Sequence, residues 1–246
     1  MITALFYLIM VAAAEAITTY ISLLWGVLFH LAILVGFIVH SGLESHSDRR
    51  RFLLSLMLVP LVRIISLAMP LENVRLIYWY PIIYAPLLVA CVVIMFILKE
   101  TPHHIGLTLN KLPLQPFVLL SGLPFGIAEY YILRPDALVS ELTFREVWLP
   151  ALILVTCTGF VEELIFRGVL QRTAVDLFGV RGIILISLFF AALHMGYENW
   201  IDIIFVFMVA VFFGWVVKKT GSLLGVTLAH GLTNIMLYLV MPFILV

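Results

Sequence analysis

Between Thr158 and Arg172 an otherwise apolar stretch, TGFVEELIFRGVLQR, carries two adjacent carboxylates and an arginine. On a helix, neighbouring residues point about 100° apart, so Glu162 and Glu163 look in different directions. Glu163 and Arg167 stand at i and i+4 with the acid first, the favourable order for an ion pair within one helix. Arg167 can therefore neutralise Glu163 and leave Glu162 free for other work. A purely structural ion network accounts for Glu163 and Arg167 but leaves the second carboxylate over. A spare carboxylate in a dry setting suits general-base chemistry near neutral pH.

Two more polar groups fall at matching positions. His194 follows Phe190 by one helical turn in the apolar run 182–198, and Asn234 follows His230 by one turn, on the same face, in 222–244. Counted from the cytoplasmic ends of the runs, Glu162 is 10 residues from Arg172, His194 is 13 from Arg181 and His230 is 11 from Lys219. At about 1.5 Å per residue these depths are roughly 15–20 Å. One carboxylate, two imidazoles and one amide at a common depth are hard to read as packing.

The elements that must hold them are membrane spans. Of 246 residues, 64% are hydrophobic and only 11% charged, against about 25% charged in a soluble domain. A crossing needs roughly 20 apolar residues, and runs of that kind occur at 2–19, 21–43, 52–71, 76–98, 115–134, 147–171, 182–198, 200–217 and 222–244. The runs are continuous rather than alternating, which excludes a β-barrel, and the predicted fold is an all-α polytopic transmembrane bundle of eight or nine helices. No Lys or Arg precedes the first apolar run, so it reads as a span rather than a signal peptide. The net charge of zero carries no footprint for nucleic acid. Cys91 and Cys157 sit inside apolar runs as small buried residues.

Arg49, Arg50, Arg51, Lys99, Lys111, Arg172, Arg181, Lys218 and Lys219 gather on one side, against Arg75, Arg134 and Arg145 on the other. The positive-inside rule makes the first side cytoplasmic and places the site from the midplane towards it. The polar loop 99–116 divides 1–110, helices of unknown role, from a core at 111–246. His103 and His104 in that loop read as solvated side chains. The stretch 135–147 reads as a short interfacial helix. Other ionisable groups within spans are functional candidates by default. Glu15 and Asp202 lie near span ends, where they can snorkel; His30 reads as a packed neutral ring; Arg63 and Glu129 have no evident partner. Gly122–Gly126 and Gly221–Gly225 have the GxxxG spacing of close helix packing.

With Glu162–Glu163–x–x–x–Arg167, Phe190–x–x–x–His194 and His230–x–x–x–Asn234 on three separate apolar runs, the sequence resembles the CAAX-protease and bacteriocin-processing (CPBP) family. That family includes type II CAAX prenyl endopeptidases and self-immunity proteins. The motifs span about 70 residues, and residues 1–110 carry no signature. The resemblance implies an intramembrane endopeptidase in which Glu162 activates water with help from His194. His230 and Asn234 stabilise the oxyanion, while Glu163, Arg167 and Phe190 support them. Oxyanion donors are worth a few kcal/mol in a dry site. No cofactor is required in this scheme. Zinc held by Glu162, His194 and His230 is the alternative, although the HExxH zinc helix is absent and Asn234 suits an oxyanion hole better than a zinc shell. The implied partners are membrane lipids and a peptide or lipidated protein substrate. A non-catalytic peptide-binding or immunity protein and a proton-coupled transporter are the competing readings; the spare carboxylate speaks against the first and the lack of internal repeats against the second.

Nine crossings with the basic loops inside put the N-terminus in the cytoplasm and the C-terminus outside. Reporter fusions at the two ends check this, and two cytoplasmic termini would break the nine-helix arrangement.

Overall fold

The computed structural model describes residues 1–244, so the last two residues of the core expected at 111–246 lie outside it. Eight helices among the described residues are long and apolar enough to cross a membrane: α1 (Ile2–Tyr20), α2 (Leu23–Leu43), α3 (Ser47–Ala68), α4 (Leu76–Leu98), α5 (Leu112–Leu133), α6 (Phe144–Phe178), α8 (Trp200–Thr220) and α9 (Leu224–Ile244). A shorter apolar helix, α7 (Arg181–Tyr197), lies between α6 and α8. No strand occurs among the described residues, as continuous rather than alternating apolar patterning dictates. Large apolar side chains such as Leu24, Trp25, Phe96 and Trp200 project outward, the arrangement of a chain solvated by lipid rather than water. The chain is an integral multi-pass membrane protein.

Local chemistry sets the element ends. The Asn199 side chain accepts hydrogen bonds from the N–H groups of Ile201 and Asp202 and so starts α8, which ends at Gly221 in the left-handed region at φ 67°; that residue caps a helix rather than packing in a GxxxG stripe. The Gly122–Gly126 pair does pack. A side chain at Gly126 would run into the Thr233 carbonyl of α9 at 2.5 Å, so α5 and α9 approach backbone to backbone. Helix α6 has 35 residues, about 50 Å at the usual rise, and outruns the bilayer core on the side where the basic residues collect.

Several sequence expectations are corrected. The segment 134–143 is not helical; α6 begins only at Phe144. It folds over the bundle instead, with the Leu138 N–H bonded to the Tyr238 carbonyl at 3.1 Å and Val139 buried against Leu154 and Leu239. Glu15 does not snorkel. It is wholly buried and accepts from Arg63 Nε at 2.6 Å, with His30 Nε2 3.0 Å away, because a carboxylate removed from water needs a partner. His30 is therefore beside a carboxylate rather than alone, and Arg63 has its partner across the α1–α3 interface. Asp202 is also fully buried, with neither carboxylate oxygen hydrogen-bonded through its side chain. His104 is not simply solvated, since its Nδ1 meets the Glu100 carboxylate. One continuous core runs from Val11 and Phe37 through Leu87 and Cys91 to Phe166, Phe189 and Val226, joining the first four helices to the rest.

Candidate active site

Helices α6 and α9 cross closely because each lacks a side chain at the contact. A side chain on Gly159 would meet the Thr227 carbonyl at 2.7 Å, and one on Gly231 would meet the Val155 backbone at 2.8 Å. The crossing sets His230, next to Gly231, against the carboxylates one turn beyond Gly159. Around them α6 widens into π-type turns over Val155–Glu162 and Leu164–Leu170, and the Thr156 and Thr158 hydroxyls donate to backbone carbonyls one turn back. Such widened turns recur at functional positions.

Glu163 is fully buried, and its Oε1 accepts from both Arg167 at 2.9 Å and His230 Nδ1 at 2.8 Å. The i, i+4 pair predicted from spacing is present, and His230 is its third member. Its other oxygen, Oε2, is buried without a hydrogen bond. Arg167 lies with its guanidinium carbon 4.5 Å from the centre of the Phe190 ring, a cation–π contact that compensates some of its lost hydration. Phe190 also packs against the His194 and His230 rings, tilted to the first and perpendicular to the second, with centroids 4.8 and 6.2 Å away. This explains an aromatic residue one turn before His194.

Helix α7 is α-helical only as far as Ala192, so His194 stands in the turn that follows rather than inside the helix. Its Nδ1 lies 2.9 Å from the Phe190 carbonyl. A carbonyl can only accept, so Nδ1 carries the hydrogen and Nε2 is the acceptor of the neutral ring.

Glu162 faces elsewhere. Its Oε1 accepts from the Tyr84 hydroxyl, and its Oε2 is 3.8 Å from His230 Nε2. It lines a cavity of about 280 Å³ together with His194, Trp79, Tyr80, Arg63 and Tyr197. A smaller cavity of about 30 Å³ holds Glu163, Arg167, His194, His230 and Glu129. His194 and Phe190 line both. Six of the seven sequence-derived residues thus border one cavity or the other. Asn234 lines neither and donates its amide to Thr158 Oγ1 at 2.8 Å.

Residues 1–110, which carry no motif, supply more than half of the residues that line the 280 Å³ cavity. Tyr84, Tyr80, Trp79 and Arg63 were not assigned to the site from sequence. The available signal was the pair Tyr80 and Tyr84 at i and i+4, two hydroxyls on one face of an apolar helix, with ring centroids 6.3 Å apart. Glu129, left unpartnered by the sequence reading, also faces the smaller cavity. Among the described residues no three His, Cys, Asp or Glu side chains are grouped to hold a metal ion. Glu162, His194 and His230 as arranged here form no such group.

Residues 143–236 match the family model described as type II CAAX prenyl endopeptidase Rce1-like. Over those residues the chain is similar to the CAAX-protease family, as the three motifs implied. It takes in all seven motif residues and leaves out Tyr84 and the rest of the first four helices. No curated protein and no solved structure matches the chain.

The buried pair makes a stability prediction. Arg167→Met leaves Glu163 without its cation and costs about 3–5 kcal/mol. The double variant Glu163→Gln with Arg167→Met costs clearly less than the sum of the two single changes. Thermal unfolding of the four proteins in detergent measures this coupling; simply additive losses would mean that the pair is not linked.

Proposed function

We propose that this chain is an intramembrane endopeptidase that hydrolyses a peptide bond in a membrane-associated or lipidated protein, using water activated by Glu162. The observation that carries the reading is the division between two adjacent carboxylates. Glu163 is engaged by Arg167 and His230, whereas Glu162 opens onto a cavity large enough for part of a peptide. At family level the match to CAAX endopeptidases supports the same activity.

Tyr84 holds Glu162 Oε1, which leaves Oε2 to take a proton from water. His194 Nε2, the acceptor of a ring fixed through Nδ1, orients that water. The water oxygen bonds to the peptide carbonyl carbon, and the carbonyl oxygen becomes the oxyanion. We assign its stabilisation to the protonated His230 ring, which donates from Nδ1 to Glu163 and from Nε2 to the oxyanion, and to the Asn234 amide, which substrate must draw away from Thr158. Collapse breaks the C–N bond, and the proton held by Glu162 passes to the leaving amine, so that acid and amine products balance the water consumed. The Trp79, Tyr80 and Tyr197 walls suit a substrate with an apolar or lipid-bearing segment. By the positive-inside rule the site lies from mid-membrane towards the cytoplasm.

Comparing the membrane and secreted peptide termini of cells making the wild type with those making Glu162→Gln tests the reading and identifies the substrate. New termini appear only with the wild type, since loss of a positioned general base costs about 10²–10⁴ in rate. Identical termini from equally folded proteins with the same phenotype would favour the non-catalytic peptide-binding or immunity reading.

A further inference from the structure

A third cavity, of about 410 Å³, opens at the end of the bundle where Lys and Arg collect, between the loop that follows α4 and the ends of α6 and α8. The peptidase reading does not use it. Its charged lining consists of Arg167, Arg172 and Lys218, with His103 and His104 beside them, and no carboxylate is among the lining residues.

The positive charge there is only partly offset. Arg167 is committed to Glu163, and His104 meets Glu100. Arg172 Nε lies 3.6 Å from Asp176 Oδ1, but both side chains are about 40% exposed, and such pairs are weak. Among the described residues no carboxylate comes within 4.0 Å of Lys218. The floor is built: Arg167 and Gln171 are 3% and 4% exposed, and the Gln171 amide is fixed by donating to the Gly214 carbonyl at 2.9 Å.

The mouth is built as well. The loop is held open over the cavity by the Thr108 hydroxyl on the Gly221 carbonyl at 2.8 Å, the Ser222 hydroxyl on the Thr108 carbonyl at 2.6 Å and the Leu223 N–H on the Gly106 carbonyl at 2.8 Å. Ile105 is buried beneath it. The Thr108 hydroxyl takes up the Gly221 carbonyl, which would otherwise face a bound anion. A basic hollow between helices, at the level where headgroups meet water, is the setting in which membrane proteins hold anionic phosphates, and guanidinium groups suit phosphate oxygens.

We propose that this hollow is a binding site for a phosphate-bearing anion, carried either by an acidic lipid headgroup or by free phosphate, with Arg172 and Lys218 as its principal contacts. The proposal does not depend on the peptidase reading. Arg167 is shared with the smaller cavity of the candidate active site, so the test leaves it untouched.

Native mass spectrometry of the purified full-length protein, titrated with phosphatidylglycerol, phosphatidylcholine or inorganic phosphate, provides the test. The expected result is one saturable ligand, either phosphatidylglycerol preferred about tenfold over phosphatidylcholine or phosphate itself, lost in Arg172→Gln/Lys218→Gln. Displacement of the lipid by phosphate identifies a site that takes the free anion as well; no displacement identifies a headgroup site. The single variants serve in place of the double one if its melting temperature falls. The proposal is overturned if the wild type shows neither the lipid preference nor phosphate binding, or if binding is unchanged in the variants.

Discussion

The structure depends on how a wholly buried carboxylate is partnered. Glu163 is out of reach of solvent, and its Oε1 draws together Arg167 from its own helix and His230 from α9. Isolated charge in such a setting costs several kcal/mol, and removing one partner exposes that cost. Arg167 is in turn covered by Phe190, which also fixes His194 through its backbone carbonyl. The residues of the three motifs are therefore connected through one charge and the aromatic ring beside it, except Asn234, which attaches through Thr158 to the helix bearing the carboxylates.

With Glu163 engaged, its neighbour is free to do chemistry. The widened turns of α6 and the close crossing at Gly159 and Gly231 place Glu162 at a cavity whose far wall comes from α3 and α4. Tyr84 binds one oxygen of Glu162 and leaves the other open. We assign to α3 and α4 the role of completing this site. The buried group of Glu15, His30 and Arg63, with Arg63 at the cavity wall, is an expensive feature in lipid and stands at the same place.

Much of this was legible in the sequence because helical spacing converts directly into faces. The Glu163–Arg167 pair, the common depth of Glu162, His194 and His230, and the all-α bundle follow from periods of 3.6 and from the cost of charge in lipid. What was not legible depends on contacts between distant segments. Tyr84 meets Glu162 across 78 positions of sequence, and the Tyr80–Tyr84 spacing marks a polar face without naming its partner. Glu15 looked like a span-end residue because its partners Arg63 and His30 are on other helices. The end of the α-helical part of α7 at Ala192 carries no Gly or Pro signal, and the stretch 134–143 has mixed polarity that a loop packed against Tyr238 satisfies as well as an interfacial helix does.

The central claim is that the two adjacent glutamates have different work, one chemical and one structural. Measuring turnover and melting temperature together for purified Glu162→Gln and Glu163→Gln, on the substrate identified from cellular termini, tests it most directly. The account predicts that Glu162→Gln abolishes turnover with the melting temperature little changed, whereas Glu163→Gln lowers the melting temperature and turnover together. Full turnover in Glu162→Gln, or a stable Glu163→Gln protein in which only turnover is lost, would contradict it.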